Sequence, residues 1–212
     1  MNKSEIILDV LNQMYPDAHV ELTHKNHFEL LVAVVLSAQT TDVSVNKVTP
    51  GLFNLFPTPE ALAIADQKEV EMLIKTIGLY KMKAKNIILL AKQLVEVHQS
   101  VVPNSRKSLE ALPGVGRKTA NVVLSNAFGV PALAVDTHVN RVSKRLKLAK
   151  DKDSVVDVEK KLMRKFPRSS WTKLHHQLIF FGRYHCTAKN PQCSNCPLFN
   201  VCGYEQKTPN KY

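Results

Sequence analysis

Leu112-Pro113-Gly114-Val115-Gly116-Arg117-Lys118 lies between two stretches of helical periodicity, residues 105–111 before it and 117–128 after it. Two glycines two positions apart permit backbone conformations closed to other residues and leave the neighbouring amides uncovered. Those amides open the helix that starts near Arg117, so they converge where an anion can rest. With Arg117 and Lys118 beside them, a phosphate is the natural guest. A plain tight turn between two helices, its charges merely solvated, satisfies the same residues.

Outward from this hairpin, helical spacing continues in both directions. Ile6, Ile7, Val10, Leu11 and Met14 form one apolar stripe that Pro16 closes. The pattern predicts further helices over 28–38, 42–53, 58–65, 66–76 (capped by Asp66 and stopped near Gly78), 81–98, 137–146, 155–166 and 169–183. No period-2 alternation is sustained, so the predicted fold is all-α. Pro131, shortly after Gly129, marks a point where one helical group can give way to another.

All four cysteines, Cys186, Cys193, Cys196 and Cys202, fall in the last 27 residues with C-x6-C-x2-C-x5-C spacing. A chain that uses cysteine nowhere else is most simply binding a metal centre. Cys193 and Cys196 can aim two sulfurs at one site across a single turn, and Pro197 stops that turn from becoming a helix. Two disulfides need an oxidising compartment, and no export signal is readable at the N-terminus. Structural zinc more often takes two short pairs, whereas uneven loops suit a wider [4Fe–4S] cubane. Spacing alone leaves zinc and iron–sulfur both open.

Net charge is +11, unevenly spread. Residues 1–70 hold 4 Lys/Arg against 9 Asp/Glu, and residues 71–212 hold 25 against 9. So basic a portion is the footprint expected for a polyanion, most often nucleic acid, although a solvated lysine surface gives the same count. The longest purely apolar run, residues 30–36, is far too short to span a bilayer. A cytoplasmic, nucleoid-associated protein with no membrane contact is expected.

The run Glu110-Ala111-Leu112-Pro113-Gly114-Val115-Gly116-Arg117-Lys118-Thr119-Ala120-Asn121-Val122-Val123, followed by Ala134-Val135-Asp136-Thr137-His138-Val139-Asn140-Arg141-Val142, resembles the helix–hairpin–helix DNA glycosylases. Leu36-Ser37-Ala38-Gln39-Thr40-Thr41-Asp42, Ile77-Gly78-Leu79-Tyr80 and the cysteine spacing extend the resemblance over essentially the whole chain. It implies two helical lobes flanking a DNA-binding cleft. One is a six-helix barrel with the hairpin over 20–130. The other is a discontinuous iron–sulfur lobe from 1–19 and 131–212, with a [4Fe–4S] cluster on the four cysteines.

The resemblance further implies base excision repair: a glycosylase with AP lyase activity that removes damaged pyrimidines from duplex DNA. Lys118 becomes the nucleophile and Asp136 the catalytic carboxylate, although Asp136 also fits a simple helix N-cap. Gln39 fills the void left by an extruded nucleotide and Leu79 wedges the opposite strand. Read without the family, Leu79 is an ordinary apolar loop residue. Gly114, Gly116, Arg117 and Thr119 of the hairpin contact DNA, and Lys189 gives the cysteine loop a positive edge. Glu110 matches a lesion-pocket position, and an exposed helix-end carboxylate explains it equally. His138 is either a DNA contact or a structural histidine. The expected partner is damaged double-stranded DNA, met by a monomer, with no protein partner readable. A thymine or adenine mismatch glycosylase of the same superfamily, or a non-catalytic hairpin protein, are the alternatives.

Overall fold

In the computed structural model, residues 1–207 are described, and their regular structure is entirely helical. Asn2 starts α1 (Lys3–Met14) through a capping box: its side chain accepts from the Glu5 amide, while Glu5 accepts from the Asn2 amide. The helix buries Ile7 and Leu11, each contributing about 1.5–3 kcal/mol relative to exposure.

The chain divides into two compact units, residues 21–130 and residues 1–20 with 131–212. The first contains α2 (His27–Leu36), α3 (Asp42–Leu55), α4 (Pro59–Ala63), α5 (Gln67–Ile74), α6 (Tyr80–His98), α7 (Arg106–Glu110) and α8 (Arg117–Ala127). Its centre is α2, buried along its whole length from Phe28 to Leu36. A helix that is apolar all round must be wrapped by others, and α3, α6 and α8 pack on it. Thr41, Thr58, Asp66 and Ser105 cap α3, α4, α5 and α7 with side-chain oxygens. Pro50 lies inside α3 without ending it.

The second unit joins α1 to α9 (Thr137–Arg145), α10 (Val155–Lys165) and α11 (Trp171–Phe180). Ile7 and Leu11 share its core with Val139, Val142, Leu162, Leu174 and Phe181. The buried Gln177 amide donates to the carbonyls of Leu11 and Tyr15, both at 3.2 Å, and fastens α1 to α11. The predicted helix over 169–183 is composite. A 3-10 turn (Arg168–Ser170) leads in, and after α11 the chain widens to a π-turn (Phe181–His185). That turn passes so close to α9 that a Cβ on Gly182 would meet the Cβ of His138 at 3.0 Å.

Between α7 and α8 the chain makes a tight turn closed by the Val115 amide on the Leu112 carbonyl at 3.1 Å. Pro113 takes its second position and Gly114, at φ +77°, its third, as a type II turn requires. A Cβ at Gly114 would stand 3.2 Å from both Asn86 of α6 and Val35 of α2. Conformation and space both demand glycine. Gly114→Ala is expected to lower unfolding stability by about 1–3 kcal/mol through left-handed backbone strain and that crowding, measured as a fall in denaturant midpoint; an unchanged midpoint contradicts this reading.

Candidate active site and metal centre

Gly116 adopts extended backbone and caps α8 with no side-chain hydrogen bond. Its cap residue therefore offers no side-chain acceptor to the first-turn amides, a helix start of the kind that suits a phosphate oxygen. Lys118 is the second residue of α8 and is exposed, as is Gly116, while Arg117 and Thr119 are half-buried. The helix turns Ala120, Val123 and Leu124 inward. Packing thus anchors one face of α8 while Lys118 keeps access to solvent. Glu110, the last residue of α7, is also exposed.

The same unit places two further candidates in turns before helices. Gln39 is exposed in the turn between α2 and α3, with φ +55°. Leu79 caps α6 with φ +58° and is 53% exposed. Neither is glycine, so each holds a left-handed conformation that costs a non-glycine residue about 1–2 kcal/mol. Strain and exposure of this kind in an aliphatic side chain raise Leu79 above the ordinary loop residue suggested by its sequence.

In the other unit, Asp136 is the N-cap of α9 and accepts from the Val139 amide at 2.8 Å. The cap fixes the direction of the carboxylate. His138 is half-buried, and its Nδ1 lies 3.3 Å from Nη2 of Arg141. Burial pushes the His138 imidazole below its usual range, with the Asp136 charge acting against that. Arg141 donates to the carbonyls of Gly182 at 2.7 Å and Cys186 at 3.3 Å. His138 therefore has an internal partner of its own.

One turn further along α9, Arg145 gathers the start of the cysteine loop. It donates to the Thr187 carbonyl at 2.7 Å, the Ala188 carbonyl at 2.9 Å and the Sγ of Cys186 at 3.3 Å. The Tyr204 ring covers its guanidinium at 4.3 Å. Neither arginine stood out in the sequence. The available signal was their i, i+4 spacing on the helix that begins with the Asp136-Thr137-His138 segment. His175 and His176 are both buried, and Nδ1 of His175 meets the Ala134 carbonyl at 2.8 Å, which makes it a core histidine.

All four cysteines are free and half-buried, and all four line one recess with Leu146, Phe181, His185 and Phe199. No disulfide joins them. Among the described residues, no three His, Cys, Asp or Glu side chains converge on a single ion. A lone zinc, with sulfurs about 2.3 Å from one centre, needs that convergence. A cubane, with one thiolate per iron, spreads its ligands more widely. The buried Nε2 of His185 has no hydrogen-bond partner among the described residues and lines the same recess, so a sulfur acceptor suits it. Burial pushes the Cys196 thiol up to about 11 and raises that of Cys186. Metal loading must therefore displace protons. Between Cys186 and Cys193, Lys189 is exposed.

The HhH-GPD superfamily base excision DNA repair protein model matches residues 32–168. The model for the iron-sulfur binding domain of endonuclease III matches residues 186–202. Endonuclease III of Bacillus subtilis (strain 168) is 54% identical over 211 residues, covering 100% of this chain and 96% of that protein. Endonuclease III of Escherichia coli (strain K12) is 48% identical over 209 residues, covering 98% and 99%. A trapped endonuclease III–DNA covalent intermediate has a TM-score of 0.91 at 54% identity, over 95% of this chain and 96% of that one. A thermostable thymine-DNA glycosylase shares the fold, with a TM-score of 0.87 at 23% identity. The chain belongs to the HhH-GPD superfamily of base excision DNA repair proteins and, within it, to the endonuclease III family. Its cofactor is a [4Fe–4S] cluster.

Arg145→Met removes every donor that the side chain gives to the cysteine loop while keeping an unbranched, apolar stem. Iron and sulfide content per chain are expected to fall, and visible iron–thiolate absorbance to bleach faster in air, than in the parent protein. Unchanged content and bleaching rate would show that the loop holds its cofactor without Arg145.

Proposed function

We propose that this DNA glycosylase with AP lyase activity removes oxidised or ring-damaged pyrimidines from duplex DNA, with Lys118 as nucleophile and Asp136 as its carboxylate partner. The observation that carries the reading is the placement of Lys118. It is an exposed amine in the first turn of α8, which a glycine caps, and it follows a turn with Gly114 at φ +77°. A phosphate bound by those amides holds the backbone in register, which brings the sugar to the amine.

In this mechanism the Lys118 amine attacks C1′ of the extruded nucleotide and the damaged base leaves, taking up a proton. Asp136 stabilises the positive charge that develops at C1′ and relays protons around Lys118. Opening of the sugar ring gives a protonated imine between Lys118 and C1′. That imine acidifies the C2′ proton. Its removal sends the electron pair into a new C2′–C3′ double bond and expels the 3′ phosphate. Water then hydrolyses the imine, releases the unsaturated aldehyde end and restores the lysine. Gln39 fills the vacated space, with donor and acceptor groups that suit more than one orphaned base.

We further propose that the cluster is held by Cys186, Cys193, Cys196 and Cys202 as a scaffold for the loop that presents Lys189 to the DNA backbone. Glu110 is assigned to the lesion pocket, and the protein acts as a monomer on the chromosome in the cytoplasm. The strongly basic second part of the chain supports that last assignment. Among the described residues, no helix is long and apolar enough to cross a membrane.

Borohydride reduction in the presence of abasic duplex DNA is expected to yield a covalent adduct that disappears in Lys118→Ala; an undiminished adduct rejects the nucleophile. Asp136→Asn keeps an N-cap of equal quality but loses the charge. Its unfolding midpoint is expected to stay near that of the parent while kcat falls roughly 10²–10⁴-fold. A large fall in stability with kcat preserved would make Asp136 a cap and nothing more.

A further inference from the structure

Lys83, on α6, is 3% exposed. A buried ammonium is costly unless it is paired, yet among the described residues no carboxylate lies within ion-pair distance of it. Its Nζ donates instead to the Thr40 hydroxyl at 2.6 Å. That hydroxyl reaches the Ala38 carbonyl at 3.5 Å, and the Thr40 amide closes on the Ser37 carbonyl at 3.0 Å. The side chain therefore ends at the bonds that close the turn around Gln39, where φ is +55°.

The main chain of Lys83 ends at a second left-handed position, Leu79. Its amide donates to the carbonyl of Leu79 at 3.0 Å, the left-handed residue that opens α6. One residue thus links Gln39 and Leu79, two exposed left-handed positions that lie forty apart in sequence. Left-handed non-glycine backbone persists only where its surroundings over-determine it, and Lys83 is the shared support. Burial pushes its amine below the usual lysine range, as expected for a cation held by neutral oxygen.

We infer that Lys83 is a positioning residue for base extrusion: it clamps the turn through residues 37–40 to the start of α6, so that Gln39 and Leu79 enter the duplex as one unit. The inference rests on the roles proposed above for Gln39 and Leu79, and it assigns Lys83 no contact with DNA. Removing the clamp should slow steps that require a paired nucleotide to leave the stack. It should spare chemistry on a nucleotide that is already free.

The cluster-loaded protein is compared on an abasic site in duplex DNA and on the same site in single-stranded DNA, by single-turnover cleavage and borohydride trapping. A 2-aminopurine next to the site reports unstacking by fluorescence. Lys83→Met is expected to slow duplex cleavage and the fluorescence rise about tenfold or more, since extrusion costs a few kcal/mol. Single-strand trapping should stay within about twofold of the parent. Lys83→Arg should restore most of the duplex rate, and Thr40→Val, which removes the hydroxyl that accepts from Lys83 and reaches Ala38, should reproduce the selective loss if Lys83→Met folds poorly. Equal slowing on both substrates would overturn the proposal, because a general folding defect does that. Gln39→Ala and Leu79→Ala serve as references. If they slow extrusion and both Lys83→Met and Thr40→Val do not, the clamp is rejected while the insertion roles stand. If neither reference slows extrusion, the insertion reading fails and the clamp fails with it.

Discussion

The amides in the first turn of an α-helix have no acceptor within the helix, and the side chains proposed for catalysis and base extrusion stand at or near such helix starts. Lys118 stands in the first turn of α8, Asp136 caps α9, Leu79 caps α6, and Gln39 lies two residues before the Thr41 cap of α3. At α9 and α3 a side-chain oxygen meets the need. At α8 and α6 the cap residue, a glycine and a leucine, offers no such oxygen. The open helix starts combine a positive dipole end, exposed donors and a chain direction set by packing further along the helix. Anion binding and precise placement of one residue then come from the same few atoms.

Rigidity at these starts depends on the helices behind them. Gly114 brings its turn against Val35 and Asn86, so α2 and α6 serve as the template for the hairpin. In the other unit, Arg141 and Arg145 run from α9 to the carbonyls and sulfur at the start of the cysteine loop. The helix that orients Asp136 at one end thereby anchors the metal-binding loop from its opposite end. A disturbance of the loop is felt along α9 through hydrogen bonds that share one helix, a different kind of coupling from direct contact.

What could be read from the chain follows the range of the interactions involved. Local features were legible: Pro113-Gly114 announces its turn, Asp66 and Asp136 their caps, and the cysteine spacing a metal centre whose kind it leaves open. Apolar periodicity located the helices because burial acts on each helix face separately. Pro50 did not end α3, because tertiary packing of Val45, Val48 and Leu52 outweighs one missing amide. The widened turn after Phe180 has no local signature, since it exists to bring Gly182 against α9. Lys83 was invisible for the same reason: its partner Thr40 is forty-three residues away, and on sequence alone it is one more lysine on an amphipathic helix. The mutual geometry of Gln39, Leu79 and the hairpin likewise arises only when α2, α6 and α8 pack.

The bonds from Gln177 to α1 set an order on synthesis. Residues 21–130 emerge from the ribosome as a complete unit with its own core. Ile7 and Leu11 of α1 lack their core partners until α11 has been translated. At about 5–20 residues per second, that interval is on the order of ten to thirty seconds. During it, Ile7 and Leu11 stay without the side chains that bury them in the finished fold.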